Sequence, residues 1–268
     1  MFHFEQEEGF TIINNISTPD WGKSLRLKTN LKASLDFLYR KNIKNVEIND
    51  CEGAIIPDLE FLRNNLYIEG VTIVSPRKDD IDISAINTCN NLKRIGIRFK
   101  HKQEVDFSNF PHLTDANIYW SSNIKSLEDC KKMRIIMIEN YTARNLTLFE
   151  KWLNLNEIYL HNTLIQDLKG IENSVRIDKI IIDGAKKLES LQGITVNHQS
   201  LSDLRVYSAK HLIDILNIKY ASNLEFVDFW KIGELTNESY NLWHYFPSIR
   251  HFRVVNKSGV FIEKLPKP

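Results

Sequence analysis

The sequence predicts an α/β solenoid, in which about ten copies of a short unit form a concave parallel β-sheet with short helical or 3₁₀ segments on the convex side. Segment 155–171, LNEIYLHNTLIQDLKGI, contains one whole unit. Ile158 and Leu160 point to one side of a short strand, and the apolar residues of 164–171 turn the chain back. The unit is too small to bury its own apolar face, so it is stable only when copies stack on it.

The same unit recurs in phase along most of the chain. The first apolar residues of successive strands are 20 to 25 residues apart, and the position three residues earlier is apolar in every unit, from Ile43 to Ile249. The strand pairs of the ten units are Val46/Ile48, Val71/Ile73, Ile95/Ile97, Ala116/Ile118, Ile136/Ile138, Ile158/Leu160, Ile180/Ile182, Leu204/Val206, Val227/Phe229 and Phe252/Val254. This spacing predicts one parallel strand from each unit.

The L-x-x-L-x-L skeleton, which runs from Leu25 to Val254, resembles the leucine-rich-repeat family. Units 162–173 and 185–194 are similar to the short bacterial repeats of the internalin kind, in which an I-x-x-L turn replaces a full convex helix. The family usually has Asn or Cys three residues after the second strand residue, and only Cys51 fits that pattern among the ten units. The resemblance therefore implies the fold without a continuous asparagine ladder, and it implies almost nothing about function.

Three segments make up the predicted domain organisation. Residues 1–42 form an N-terminal cap with a degenerate first repeat, residues 43–254 the leucine-rich repeats, and residues 255–268 a C-terminal cap and tail. We expect a strand at Phe10 and Ile12, a turn at Pro19–Asp20, and a helix that begins after Asn30 as its N-cap. The C-terminal cap is predicted to be a hairpin. Such caps cover the core layers at the ends of a solenoid.

Composition limits the classes of partner. The chain has 35 Lys and Arg against 34 Asp and Glu, a formal net charge of +1, which gives no electrostatic reason to expect nucleic acid. The basic run within 93–102 is interpreted as a solvated face.

The N-terminus lacks the pattern of a secretory signal, and no stretch approaches the length of about 18 apolar residues that spans a bilayer. We therefore expect no membrane partner and a cytoplasmic location.

The cysteines predict neither a disulfide nor a metal site. Among the three, Cys89 and Cys130 occupy equivalent positions two repeats apart. Stacked strands place such positions about 10 Å from each other, which is too far for a disulfide. We interpret both as small buried hydrophobic residues. Without a CxxC pair or a His/Cys cluster at ligand spacing, we expect no metal site and no cofactor.

Residues that flank the buried pairs should project from the concave face, and from the fourth unit onward they are rich in aromatic residues, Arg and acids. This composition is typical of protein interface hot spots. The alternative is that these aromatics only cover neighbouring side chains or lie under the C-terminal cap. The predicted protein-binding residues are Tyr119, Met137, Glu139, Tyr159, His161, Asp183, Arg205, Tyr207, Phe226, Asp228, Trp230, His251 and Arg253.

Catalysis is the competing hypothesis for this face. His161 beside Asp183, with Tyr159 and Glu139 nearby, has the residue types of an acid/base group. A polar interaction patch is favoured, because no serine or cysteine nucleophile occupies a matching outward position and a concave sheet is open to water. We therefore predict no catalytic residues.

The predicted function is that of a non-enzymatic protein-binding module. By resemblance to small standalone bacterial repeat proteins, its most concrete form is an immunity or antitoxin protein that binds and blocks a toxin domain or another protein through the concave face. The alternatives are an adaptor or scaffold and an exported effector that acts on host proteins. We expect a monomer or a weak homodimer, the latter through an exposed solenoid edge or the C-terminal loops.

Overall fold

The computed structural model describes residues 2–15, 22–52, 56, 58–63, 65–74, 81–235, 237–259 and 261–264. The predicted turn at Pro19–Asp20 and the end of the tail, 265–268, lie outside them. The chain forms two compact units, Met1–Cys130 and Lys131–Pro268. Both units consist of stacked repeats with parallel strands.

The first unit begins with an antiparallel hairpin and continues into parallel strands. The hairpin adds a strand that the sequence did not predict, since β1 pairs with β2 along its whole length. Strands β3 to β6 and β8 then pair in parallel, and β7 pairs with β9. The bounds are β1 Phe2–Glu7, β2 Phe10–Asn15, β3 Lys23–Arg26, β4 Asn45–Asn49, β5 Gly70–Val74, β6 Arg94–Ile97, β7 Val105–Asp106, β8 Asp115–Tyr119 and β9 Ile124–Lys125.

The second unit is a parallel sheet that ends in an antiparallel strand. Strands β10 to β15 pair in parallel, and β16 folds back on β15 as the predicted C-terminal hairpin. The bounds are β10 Ile135–Glu139, β11 Glu157–His161, β12 Lys179–Asp183, β13 Asp203–Tyr207, β14 Phe226–Ile232, β15 His251–Asn256 and β16 Phe261–Lys264.

Helical structure in the described residues is short. The single α-helix, α1, spans Leu31–Arg40, and the Asn30 side chain accepts a hydrogen bond from the Ala33 amide at 3.1 Å, which confirms the predicted N-cap. Phe37 and Leu38 of α1 are buried. The remaining turns are 3₁₀ helices at Asp50–Glu52, Glu60–Leu62, Ser84–Thr88, Phe107–Asn109, Leu127–Asp129, Thr147–Phe149, Leu216–Tyr220 and Asn237–Tyr245.

The predicted fold class is confirmed. Every predicted apolar pair lies within a strand, and the pairs align in register, as where Ile158 pairs with Ile180 and Leu160 with Ile182. All these residues are at most 2% exposed. The strands outnumber the predicted ten because the terminal segments add β1, β2, β3 and β16, and the short strands β7 and β9 lie between repeat strands.

A left-handed turn replaces the asparagine ladder in the second unit. At the ends of β10 to β14 the expected ladder position holds Tyr141, Thr163, Ala185, Ala209 and Ile232, all of them buried, whereas Lys257 after β15 and the conforming Cys51 of the first unit are exposed. The residue just before each of these five positions, here called the turn position, has a positive φ of 52° to 71°. In the first four of these repeats its amide donates to a carbonyl of the next strand, as from Asn162 to Asp183 at 2.8 Å. Strands β10 to β13 therefore end alike without an Asn ladder.

The two buried cysteines behave as the sequence indicates. Cys89 and Cys130 are each 2% exposed and free, and their thiols approach the carbonyl oxygens of Leu62 and Phe107 at 3.5 and 3.6 Å. Burial raises the pKa of Cys130 to about 12, which disfavours the thiolate. Within the described ranges, no helix is long and apolar enough to cross a membrane, and no His, Cys, Asp and Glu cluster is suited to a metal ion.

Neighbouring residues of β12 provide a direct test of the register. Ile180 is fully buried and Ile181 is partly exposed on the opposite face. We expect Ile180→Ala to lower the free energy of unfolding by about 2 to 5 kcal/mol, because it leaves a cavity between stacked repeats. The matched variant Ile181→Ala should cost less than about 1 kcal/mol. Urea unfolding measures both, and equal losses would mean that the two faces are wrongly assigned.

Candidate protein-binding surface

Twelve of the thirteen predicted residues lie on β10 to β15 of the second unit, on the side of the sheet that faces away from the core. This side is called the outer face below. Tyr119 is the exception, since it lies half-buried at the end of β8 in the first unit. Strand alternation places the outward residues, and the parallel register aligns them into rows across the strands.

Three rows run across the outer face in the order of the strands. The middle row holds Met137, Tyr159, Ile181, Arg205, Asp228 and Arg253. The row at the ends of the strands holds Glu139, His161, Asp183, Tyr207, Trp230 and Val255. The row at their beginnings holds Ile135, Glu157, Lys179, Asp203, Phe226 and His251.

Asp228 is the centre of a polar network rather than a surface residue. It is 5% exposed, although its position was predicted to project outward for contact. Arg253 covers it with two hydrogen bonds of 2.7 and 2.6 Å to the carboxylate, and the Tyr207 hydroxyl donates a third at 3.1 Å. A partner at this point would meet Arg253 and Tyr207, because they lie over the Asp228 carboxylate.

A second group stacks beside this network. The Arg205 guanidinium lies 4.2 Å from the centre of the Phe226 ring, and Phe226 stacks on His251 at 4.2 Å with 13° between the rings. Asp203 fixes Arg205 with hydrogen bonds of 2.7 and 2.8 Å. The sequence prediction omitted Asp203, although it occupies the same row as Phe226 and His251. That shared position was the signal that identifies it.

Trp230 offers the largest apolar surface of the face. Its side chain is 38% exposed, and the Arg253 guanidinium lies 5.0 Å from its ring. Arg253 therefore binds the Asp228 carboxylate and also lies against the Trp230 ring. Burial and the adjacent Asp228 carboxylate raise the pKa of Tyr207, so its hydroxyl stays protonated and donates at neutral pH.

The other end of the face is more polar. The Tyr159 hydroxyl donates to Glu157, and burial together with that carboxylate raises the Tyr159 pKa. His161 Nδ1 lies 3.4 Å from Asp183 Oδ2, with the two side chains 52% and 42% exposed. Groups so open to water lack the desolvated environment that perturbs catalytic groups. The pair is therefore a solvent-exposed polar group at this end of the face.

The two interpretations of the outward aromatics both describe part of the structure. Phe226 is half-buried and covered by Arg205, as the alternative of mutual covering expects. Trp230 keeps a large exposed area beside Arg253. The ion pairs and stacks hold the long side chains in fixed positions, which lowers the conformational entropy that binding would remove.

Arg253→Ala tests the energetic role of this network. The substitution leaves the buried Asp228 carboxylate without its guanidinium partner, so we expect a loss of about 1 to 3 kcal/mol in the free energy of unfolding. Arg250 is the matched control, because its side chain is 77% exposed and 3.4 Å from Glu225. Arg250→Ala should cost less than about 1 kcal/mol in the same urea titration. Equal effects would contradict the network.

Comparison with known proteins identifies the fold. No family model and no curated protein matches the chain. Internalin C2 from Listeria monocytogenes is similar in structure, with a TM-score of 0.54, 12% identity, and coverage of 76% of this chain and 84% of that one. A chain of the Drosophila Toll–Spätzle complex matches with a TM-score of 0.51, 11% identity, and coverage of 95% and 44%. The chain has the leucine-rich-repeat fold found in internalins.

Proposed function

We propose that this chain is a non-enzymatic protein-binding module whose contact surface is the outer face of β10 to β15. The observation that carries the proposal is the fixed Arg and aromatic network around Asp228, with Trp230 exposed beside it. Trp, Tyr and Arg dominate the binding energy of protein interfaces. Their prior ordering by intramolecular contacts favours affinity, because less freedom is lost on binding.

The dimensions of the face suit a protein partner. Six strands at a spacing of about 4.8 Å, each with five residues of about 3.3 Å, give a planar footprint of about 480 Å². A standard interface buries about 800 Å² on each partner. A partner of that size therefore also contacts the loops beside the sheet.

The fold comparison supports this class of function. A chain of the Toll–Spätzle complex has the same fold, and it was determined in a complex between proteins. The exposed His161–Asp183 pair supports a non-enzymatic role, because it is surrounded by solvent. We further propose that residues 43–254 are the repeats, with caps at 1–42 and 255–268.

In its most concrete form, the proposal is an immunity or antitoxin protein in the bacterial cytoplasm. A module of this kind acts by occupying its partner, so a toxin domain seated on the outer face would lose access to its own substrate. An adaptor would bind in the same way and leave the activity of its partner unchanged.

Affinity capture from the source cell, read by mass spectrometry, tests the proposal. We expect the wild-type chain to retain one protein partner that Tyr207→Ala/Trp230→Ala loses, with an affinity change of about 2 kcal/mol or more. The control is Tyr220→Ala/Tyr245→Ala, which removes two aromatics, 39% and 56% exposed, on 3₁₀ segments away from the sheet. It should retain the partner.

The proposal would be contradicted if Tyr207→Ala/Trp230→Ala retained the partner and Tyr220→Ala/Tyr245→Ala lost it. That result would place the binding site on the 3₁₀ side. The activity of the captured partner separates the specific proposals. Inhibition by the wild-type chain supports the immunity role, and unchanged activity supports an adaptor. Circular dichroism of both double variants verifies that the fold is intact.

A further inference from the structure

Four lysines line the edge of the second unit where its parallel strands end. Three of them follow the ends of β12, β13 and β15, the fourth lies in β14 just before its end, and all four are exposed. They form no ion pair with a carboxylate in the described parts of the chain. This set, called the basic edge below, consists of Lys186, Lys210, Lys231 and Lys257.

Two adjoining open depressions make the basic edge continuous. Both are lined by Ser208 and Lys210; the first also includes Lys186, and the second Lys231 and Lys257. The lysines are therefore spread along a strip rather than gathered around one point. The hydroxyl of Ser208 and the ring of His211 add further groups that can donate hydrogen bonds along it.

Two carboxylates next to the strip contact other side chains rather than its lysines. Asp183 lines the first depression and pairs with His161 at 3.4 Å. Glu234 accepts hydrogen bonds from Asn256 and Ser258 beside the second. No carboxylate of the described residues forms an ion pair with the four lysines.

Lys231 is held in a backbone conformation that its side chain does not favour. It occupies the turn position of its repeat with φ at 56°, where the preceding repeats have Asn140, Asn162, Gly184 and Ser208. Asn and Gly adopt the left-handed region readily, whereas Lys does not. The ladder also shifts register between Trp230 and Ile232 at this residue. A strained residue beside a bulge often serves a functional purpose, since a bulge redirects the side chain.

From this geometry we infer that the basic edge binds an acidic segment of the protein partner. The inference rests on the proposed function and adds the chemistry of the contact. Four successive repeats, one lysine from each, span about 14 Å, and alternate side chains of an extended peptide recur about every 6.8 Å. Three carboxylates on one side of such a peptide therefore match the strip.

A protein segment fits the strip better than a nucleic acid does. Trp230 directly precedes Lys231 and is exposed, so a partner that reaches the lysines also meets the hydrophobic centre of the outer face. Four lysines on a chain of net charge +1 provide little of the phosphate neutralisation on which nucleic-acid affinity depends. The acidic segment therefore supplies the additional contact area that the sheet alone lacks.

Fluorescence anisotropy with a labelled peptide of ten glutamates tests the inference without the natural partner. At about 20 mM NaCl, where surface charges are weakly screened, we expect binding that weakens in higher salt. Lys210→Gln/Lys231→Gln/Lys257→Gln should raise the dissociation constant at least tenfold. The control Lys131→Gln/Lys151→Gln/Lys219→Gln removes the same charge from exposed sites elsewhere and should change it less than twofold.

A single substitution separates binding from stability. Lys231→Asn places a residue tolerant of positive φ at the turn position, so the melting temperature should stay the same or rise while peptide binding weakens. Lys210→Arg/Lys257→Arg keeps both positive charges and should retain peptide binding.

Several results would overturn the inference. These are no binding of the glutamate peptide, equal losses in the two triple variants, unchanged binding by Lys231→Asn, or tighter binding of a ten-nucleotide oligothymidylate through the same lysines. None of them bears on the capture experiment with Tyr207 and Trp230, so failure of the inference is distinguishable from failure of the proposed function.

Discussion

The structure depends on the in-register stacking of two buried side chains from each repeat. No unit has a core of its own, so Ile180 is buried only because Ile158 and Leu204 pair on either side of it. A slip of one residue would turn these side chains to solvent and bring Arg205 into the core. The register that stabilises the fold therefore also aligns the outward residues into continuous rows. The proposed binding surface is a direct consequence of the core.

Ion pairing and ring stacking then determine which side chains of each row remain exposed to solvent. The Asp228 carboxylate is covered, whereas Arg253 and Tyr207 above it and Trp230 beside it remain accessible. These contacts join residues more than twenty positions apart, so they exist only after the strands are stacked. Folding thus orders a group of long side chains before any partner arrives, which favours association. At the ends of the same strands, charge is left unpaired along the basic edge, so the sheet and its border offer different chemistry.

Periodicity made the strands predictable, because burial in a repeat follows a fixed sequence spacing. It also predicted the cap at Asn30 and the face of every outward residue. It did not predict which outward residues are covered by side chains of neighbouring repeats. Asp228 has an outward position and is nevertheless buried, because Arg253 of the next repeat lies over it. Nor did periodicity identify the replacement of the asparagine ladder, because residues as different as Asn162, Gly184, Ser208 and Lys231 occupy the left-handed turn. Side-chain pairing between repeats depends on how the strands stack, which no local sequence pattern specifies.

Oxidative footprinting of the captured complex tests the central claim, that the partner occupies the outer face. Hydroxyl radicals modify exposed Met, Trp and Tyr side chains, and mass spectrometry measures each site with and without the partner. If the partner occupies the outer face, it should protect Met137, Tyr207 and Trp230 from oxidation and leave the oxidation of Tyr220 and Tyr245 unchanged. Protection of Tyr220 and Tyr245 with full reactivity at Trp230 would contradict this claim.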